Sequence, residues 1–200
     1  MAPLPNYGPR TALVVVDMQN DFADPAGSLF VQGGDEIIST VNQHIGQAQA
    51  AGSFVVYTQD WHPQATPHFD TGGGVWRVHC VAGTWGAALC EDLEVVGPVV
   101  QKGTNGEDGY SGFTMRDPVT EQEQPTELDS MLADRSIAEV VVVGLALDVC
   151  VKATALDAVA NGYGVSVLTE AARAVNLKPG DGQTAIAELQ NSGCQVIGQP

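Results

Sequence analysis

An aspartate, a lysine and a cysteine each stand where an apolar, strand-like run gives out. The run ALVVVD closes on Asp17 and continues into MQNDF, and VVQK closes on Lys102. VVVVG leads through Leu145, Ala146, Leu147 and Asp148 to Cys150, where a helical pattern begins. Asp148 has the residue type of an N-cap, which places Cys150 in the first turn of that helix. Unpaired backbone N–H groups and the positive helix end would stabilise a thiolate there. The same amides can receive the oxyanion formed when a carbonyl is attacked. Lys102 near Asp17 would hold that carboxylate charged or favour a nearby thiolate. By residue type alone each has a plainer reading: a loop-capping Asp17, a snorkelling Lys102 and a core-packing Cys150.

A second group lies after the next strand-like run. Asp60, His62, His68 and His79 fall within twenty residues, and three of the chain's four histidines are among them. Carboxylate oxygen with imidazole nitrogens suits zinc, iron or manganese; chance clustering of surface histidines is the alternative. His44 falls in a helical pattern and reads as surface. Cys80, Cys90 and Cys194 lack the setting of Cys150 and read as structural free thiols, and no CxxC pair is present.

The elements that must position these groups follow from the apolar pattern. Valine-rich runs recur at 12–16, 54–57, 95–100, 140–143, 165–168 and 195–197, nearly continuous, as in strands buried on both faces. Ile37, Ile38, Val41, Ile45 and Ala48 trace one helix face, with Gly52 as a stop; further helices are expected at 149–160 and 181–190, and a shorter one at 127–133. Alternating strands and helices predict an α/β fold with a parallel sheet covered on both faces, and ligands then bind beyond the carboxyl ends of the strands. Neither GxGxxG nor GxxxxGK[ST] occurs. Loops 18–34 and 59–83 are long, polar and rich in Gly and Pro, as loops that carry function are.

Two hundred residues suit one domain over 1–200, and 44% hydrophobic with 16% charged residues is a globular composition. No stretch approaches the roughly 20 apolar residues of a spanning helix, and MAPLPNYGPR lacks the apolar core of a signal peptide. A cytoplasmic protein is expected. With 24 acidic against 8 basic residues, a net charge of −16 makes nucleic acid and anionic membrane poor partners. A neutral small molecule would feel little of that field.

Taken together, VVVDMQNDF (14–22), DWHP (60–63), WRVHCVAGTWGA (76–87), QKG (101–103), YSGF (110–113) and GLALDVCVKATALDA (144–158) resemble the nicotinamidase/pyrazinamidase branch of the isochorismatase-like cysteine hydrolases. They span nearly the whole chain in that family's order. The resemblance implies a three-layer αβα sandwich around a mostly parallel six-stranded sheet, Rossmann-like in outline. It implies a triad of Asp17, Lys102 and Cys150, and one divalent metal ion, zinc first, with iron or manganese as alternatives. Asp60, His62 and His79 would hold that ion, and His68 corresponds to a further ligand found in only some members. It also implies an oxyanion hole from the Ala146 and Cys150 amides, a cis peptide between Leu145 and Ala146, and a ring pocket lined by Phe22, Trp76 and Tyr110.

The expected activity is hydrolysis of nicotinamide to nicotinate and ammonia through a thioester on Cys150, with Asp17 as the proton acceptor. A small amide is the expected partner, and relatives of this kind often self-associate. The chain departs from the family pattern at Trp76-Arg77 (where Trp-Pro is frequent), at Leu147 (where Thr is frequent) and in a longer segment 103–109. These bear on substrate preference, so another small amide or carbamoyl substrate is the alternative. Two further readings stay open: a metallohydrolase in which Cys150 only packs, and a binding module with an inactive site.

Overall fold

The valine runs form one six-stranded sheet. The computed structural model describes residues 5–198, so residues 1–4 of the N-terminal stretch and 199–200 lie outside the described residues. In chain order the elements are β1 (Thr11–Val16), α1 (Asn20–Ala23), α2 (Ile38–Ala50), β2 (Phe54–Asp60), β3 (Val99–Lys102), β4 (Thr114–Arg116), β5 (Glu123–Pro125), α3 (Leu128–Ala133), β6 (Glu139–Leu145), α4 (Lys152–Ala160), β7 (Gly164–Arg173), α5 (Asp181–Asn191) and β8 (Gln195–Ile197). The sheet order is β3-β2-β1-β6-β7-β8, and every pairing in it is parallel, not merely most of them. β4 and β5 form a separate antiparallel ribbon that the apolar pattern does not announce.

Successive strand side chains point to opposite faces, which is why whole valine runs are buried. Leu13, Val15, Val55 and Val141 pack with Val41, Ile45 and Ala48 of α2. Ala12, Val14, Val16 and Val142 pack with Leu128 and Leu132 of α3, Ala155 and Ala158 of α4, and Leu189 of α5. The result is the expected three layers. Each buried valine contributes about 1.5–3 kcal/mol.

Some boundaries move. The third strand begins at Val99, not Val95: Val95 and Val96 are 47% and 44% exposed, and Gly97-Pro98 separates them from β3. Proline has no N–H to give a ladder. His44 is not a surface residue; it is 4% exposed, between Tyr7 Oη and Glu170 Oε1, each 3.1 Å from one ring nitrogen. Among the described residues no helix is long and apolar enough to cross a membrane.

The topology determines where chemistry can sit. The chain lays β2 and β3 on one side of β1, then crosses to β6 on the other, so the strand order reverses between β1 and β6. Crevices form at such switch points, beyond the carboxyl ends. Asp17 follows β1, Asp60 and Lys102 are the last residues of β2 and β3 and lie opposite each other, and Cys150 follows β6. Near the end of β6 the register against β7 shifts between Val142 and Gly144. Gly144 has φ 111°, and a Cβ there would run into the Val16 carbonyl, so glycine alone fits. The next peptide but one, Leu145–Ala146, is cis.

Candidate active site

Lys102 is fully buried, and its ammonium needs acceptors at that depth. It donates to Asp17 Oδ2 at 2.7 Å, to Asp60 Oδ1 and to the Gly109 carbonyl, and lies 3.9 Å from Cys150 Sγ. Asp17, also fully buried, accepts from Thr58 Oγ1 at 2.7 Å through its other oxygen. The three strand-end residues read from the sequence therefore share one buried cluster.

Burial and the neighbouring charges compete in setting their ionisation. It raises the Asp17 carboxyl above its usual range, with Lys102 pulling back only in part. Burial opposes charge on Asp60 too, yet Lys102 and the neighbouring histidines outweigh it and hold that carboxyl well below its usual range. Lys102 is likewise desolvated, but Asp17 and Asp60 keep it firmly protonated. Cys150 differs from expectation: burial pushes its thiol well above the ordinary value despite Lys102. Burial thus works against the thiolate that the helix-end position favours, and it also raises the proton affinity of the neighbouring Asp17.

The turn carrying Cys150 also differs. Leu147–Val151 forms a single π turn ahead of α4, and Asp148 is not its cap. Its two carboxylate oxygens accept from the Val175 and Asn176 backbone N–H groups, each at 2.8 Å, tying the turn that carries Cys150 to the loop after β7.

Next to this cluster lie His62, His68 and His79, one nitrogen of each within 4.8 Å of the others. Asp60 Oδ2 is 3.7 Å from His62 Nε2 and 3.8 Å from His79 Nε2. His79 Nδ1 sits 2.6 Å from the Arg77 carbonyl, and His68 Nδ1 2.5 Å from Asp108 Oδ1. Among the described residues, both nitrogens of the fully buried His62 ring lack any hydrogen-bond partner, a costly arrangement that a cation would relieve. Three imidazoles and a carboxylate suit a divalent ion of the zinc, iron or manganese type, and the residues present fit one.

A cleft opens above both clusters. Phe22, Trp76 and Tyr110 line it, with Leu29, Val31 and Val175 as further apolar wall, and Asp60, His68, His79, Ala146 and Cys150 as its polar and reactive side. Trp76 Nε1 donates to Tyr110 Oη at 2.9 Å, bracing two of the aromatic walls. The candidate triad, metal-binding and ring-pocket residues read from the sequence thus meet in or directly beneath one cleft. Cys80, Cys90 and Cys194 are buried free thiols; Cys90 and Cys194 lie apart in the core, while the Cys80 backbone N–H donates to Asp21 Oδ2 at 2.7 Å.

Three positioning groups are not visible in the sequence. Gln19 clamps the Asp60 backbone: its Oε1 accepts from Asp60 N–H and its Nε2 donates to Asp60 O, both at 2.8 Å. Thr58 holds Asp17, and Asp108 holds His68. The partners are about forty residues apart in each case, and no local pattern reports such a pair.

The model of the Isochorismatase domain matches residues 11–199, and the chain belongs to that family. It is 37% identical to the nicotinamidase of Escherichia coli (strain K12), over 94% of each chain. Its fold superposes on the pyrazinamidase of Pyrococcus horikoshii in complex with zinc with a TM-score of 0.84, at 36% identity over 95% of this chain and 99% of that one. PnC1 from L. infantum in complex with nicotinate gives a TM-score of 0.86, at 33% identity over 96% and 94%.

Proposed function

We propose that this protein is a nicotinamidase, hydrolysing nicotinamide to nicotinate and ammonia in a single domain and in the cytoplasm. The observation that carries the reading is a buried thiol, Cys150, beside Lys102 and Asp17 at the floor of an aromatic-walled cleft. The nicotinate held by one structural neighbour and the zinc held by another support both substrate and metal.

Asp17, with its raised proton affinity, takes the thiol proton as Cys150 Sγ attacks the carboxamide carbon. Lys102 stays protonated throughout and keeps the pair of carboxylates and the developing thiolate compensated. The Ala146 and Cys150 backbone amides receive the oxyanion, each donor worth about 3–4 kcal/mol in comparable sites. Protonated Asp17 returns its proton to the departing nitrogen, which leaves as ammonia. Asp17 then accepts a proton from the water that cleaves the thioester, releasing nicotinate and the free thiol. Phe22, Trp76 and Tyr110 hold the ring and exclude bulk water. Asp60, His62, His68 and His79 would hold the divalent ion, which when bound supplies a Lewis-acid anchor for the pyridine nitrogen.

The test is ammonia release from nicotinamide by wild type, Cys150→Ala and chelator-stripped protein. Cys150→Ala should lose activity by at least about 10⁴-fold, because the nucleophile is the reaction path. An inert wild type would remove the substrate assignment. Near-normal turnover by Cys150→Ala would instead favour direct attack by a metal-activated water.

A further inference from the structure

The segment 103–109 is braced twice against the loop after β2. Thr66 Oγ1 donates to the Gly106 carbonyl at 2.6 Å, and Asp108 Oδ1 meets His68 Nδ1 at 2.5 Å. Asp108 is itself fixed: its N–H donates to Arg116 O at 2.7 Å and its carbonyl accepts from Arg116 N–H at 3.1 Å. Its side chain is 15% exposed and that of His68 only 4%. A carboxylate anchored to β4 therefore reaches a buried imidazole from behind.

An imidazole presents two nitrogens, and the hydrogen bond made by one decides the role of the other. An ionised carboxylate only accepts, so the His68 proton sits on Nδ1 and the lone pair on Nε2. The Arg77 carbonyl imposes the same tautomer on His79. His68 stacks on His62, with ring centroids 4.7 Å apart and planes 19° apart, and lies 5.4 Å from His79. One nitrogen from each ring belongs to the same 4.8 Å cluster.

The geometry points to Asp108 as a positioning residue that makes His68 a third imidazole ligand of the divalent ion, beside His62, His79 and Asp60. The inference rests on the metal reading above and goes further by assigning the tautomer and the group that enforces it. It also gives segment 103–109 a task, since the same stretch supplies the Gly109 carbonyl that holds Lys102. A loop tether alone would not need a carboxylate, because the Thr66–Gly106 bond already joins the two loops.

Zinc affinity of the apoproteins, measured by competition with a chromophoric chelator, tests this. The set comprises wild type, Asp108→Ala, Asp108→Asn, His68→Ala, the Asp108→Ala/His68→Ala double variant and His62→Ala. Asp108→Ala should bind zinc about 10–100-fold more weakly, the usual loss when a carboxylate behind a ligating histidine is removed. Asp108→Asn should lose less, because its amide oxygen still accepts from Nδ1–H and its shape is kept. The double variant should bind no more weakly than His68→Ala, and the visible spectrum of cobalt-loaded Asp108→Ala should move towards that of His68→Ala. Asp108→Ala and Asp108→Asn both within about twofold of wild type, with His62→Ala much weaker, would overturn the role of Asp108 and leave the metal reading intact. Losses that simply add in the double variant would overturn it too, since the two residues would then act independently. A wild type binding zinc no better than His62→Ala would sink the metal reading itself.

Discussion

Replacing Lys102 with methionine keeps most of the side-chain volume and deletes the charge. In the native protein the ammonium donates to Asp17, Asp60 and the Gly109 carbonyl, and neither Lys102 nor Asp17 has any solvent contact. Methionine would leave two neighbouring carboxylates buried with no cation between them. Breaking a buried ion pair on one side costs about 3–5 kcal/mol, a large share of the roughly 5–15 kcal/mol that a domain has. For a chain of this length each kcal/mol is worth about 2–4 °C, so Tm should fall by about 6–20 °C. The cluster can relieve itself by protonating Asp17, whose carboxyl is already raised by burial. That relief removes the acceptor for the Cys150 proton, so kcat should fall by at least about 10²-fold even where the variant is fully folded. Thermal unfolding by circular dichroism and ammonia release at a temperature well below both Tm values separate the two effects. A Tm loss under about 2 °C together with more than about a tenth of wild-type kcat would refute the shared-cation account.

Two other perturbations probe buried groups one at a time. Thr58→Val removes the hydroxyl that donates to Asp17 Oδ1 at 2.7 Å while keeping its shape; kcat should fall about 10-fold with KM nearly unchanged, and Thr58→Ser should restore it, a single buried hydrogen bond being worth about 1–3 kcal/mol. Equal kcat for Val and Ser would remove Thr58 from the positioning of Asp17. Burial pushes the Cys90 thiol from 9.0 up to about 11, so below pH 9 both folded and unfolded chains keep its proton. Above pH 9 the unfolded thiol ionises first and stability is lost towards pH 11, by about 2 kcal/mol at pH 10.5 from this group. Urea midpoints between pH 8 and 10.5 should therefore fall less steeply for Cys90→Ala than for wild type, and parallel slopes would count against it.

Asp17, Lys102 and Cys150 are legible because a parallel sheet turns the ends of apolar runs into one place. The sequence shows where a strand stops, and the fold rule supplies the common edge. The metal loop is legible by composition, since three histidines in eighteen residues need no long-range information. His44 reads wrongly as surface although its signal is present: it lies three residues after Val41 and four before Ala48, on the face that packs against the sheet. The third strand reads as starting too early because Val95 and Val96 have strand chemistry, while Gly97-Pro98 marks the true break. Gln19, Thr58 and Asp108 carry no such mark. A polar residue in a strand or loop reads as ordinary until its partner, some forty positions away, is known to be beside it. The protonation of Cys150 is beyond reach for a related reason. Junction position argues for a thiolate, but depth of burial decides, and burial is a property of the packed molecule.

The two motif groups, separate in sequence, are one unit in space because Asp60 belongs to both. Its Oδ1 accepts from Lys102, and its Oδ2 faces His62 and His79 at 3.7 and 3.8 Å. Lys102 in turn touches Asp17 and stands 3.9 Å from Cys150 Sγ. A buried row of polar and charged groups thus runs from the imidazoles through Asp60 and Lys102 to Cys150, with Gln19 clamping the Asp60 backbone at its centre. In the proposed reaction the one carboxylate of Asp60 would therefore serve both the divalent ion and the ammonium beside the Cys150 thiol.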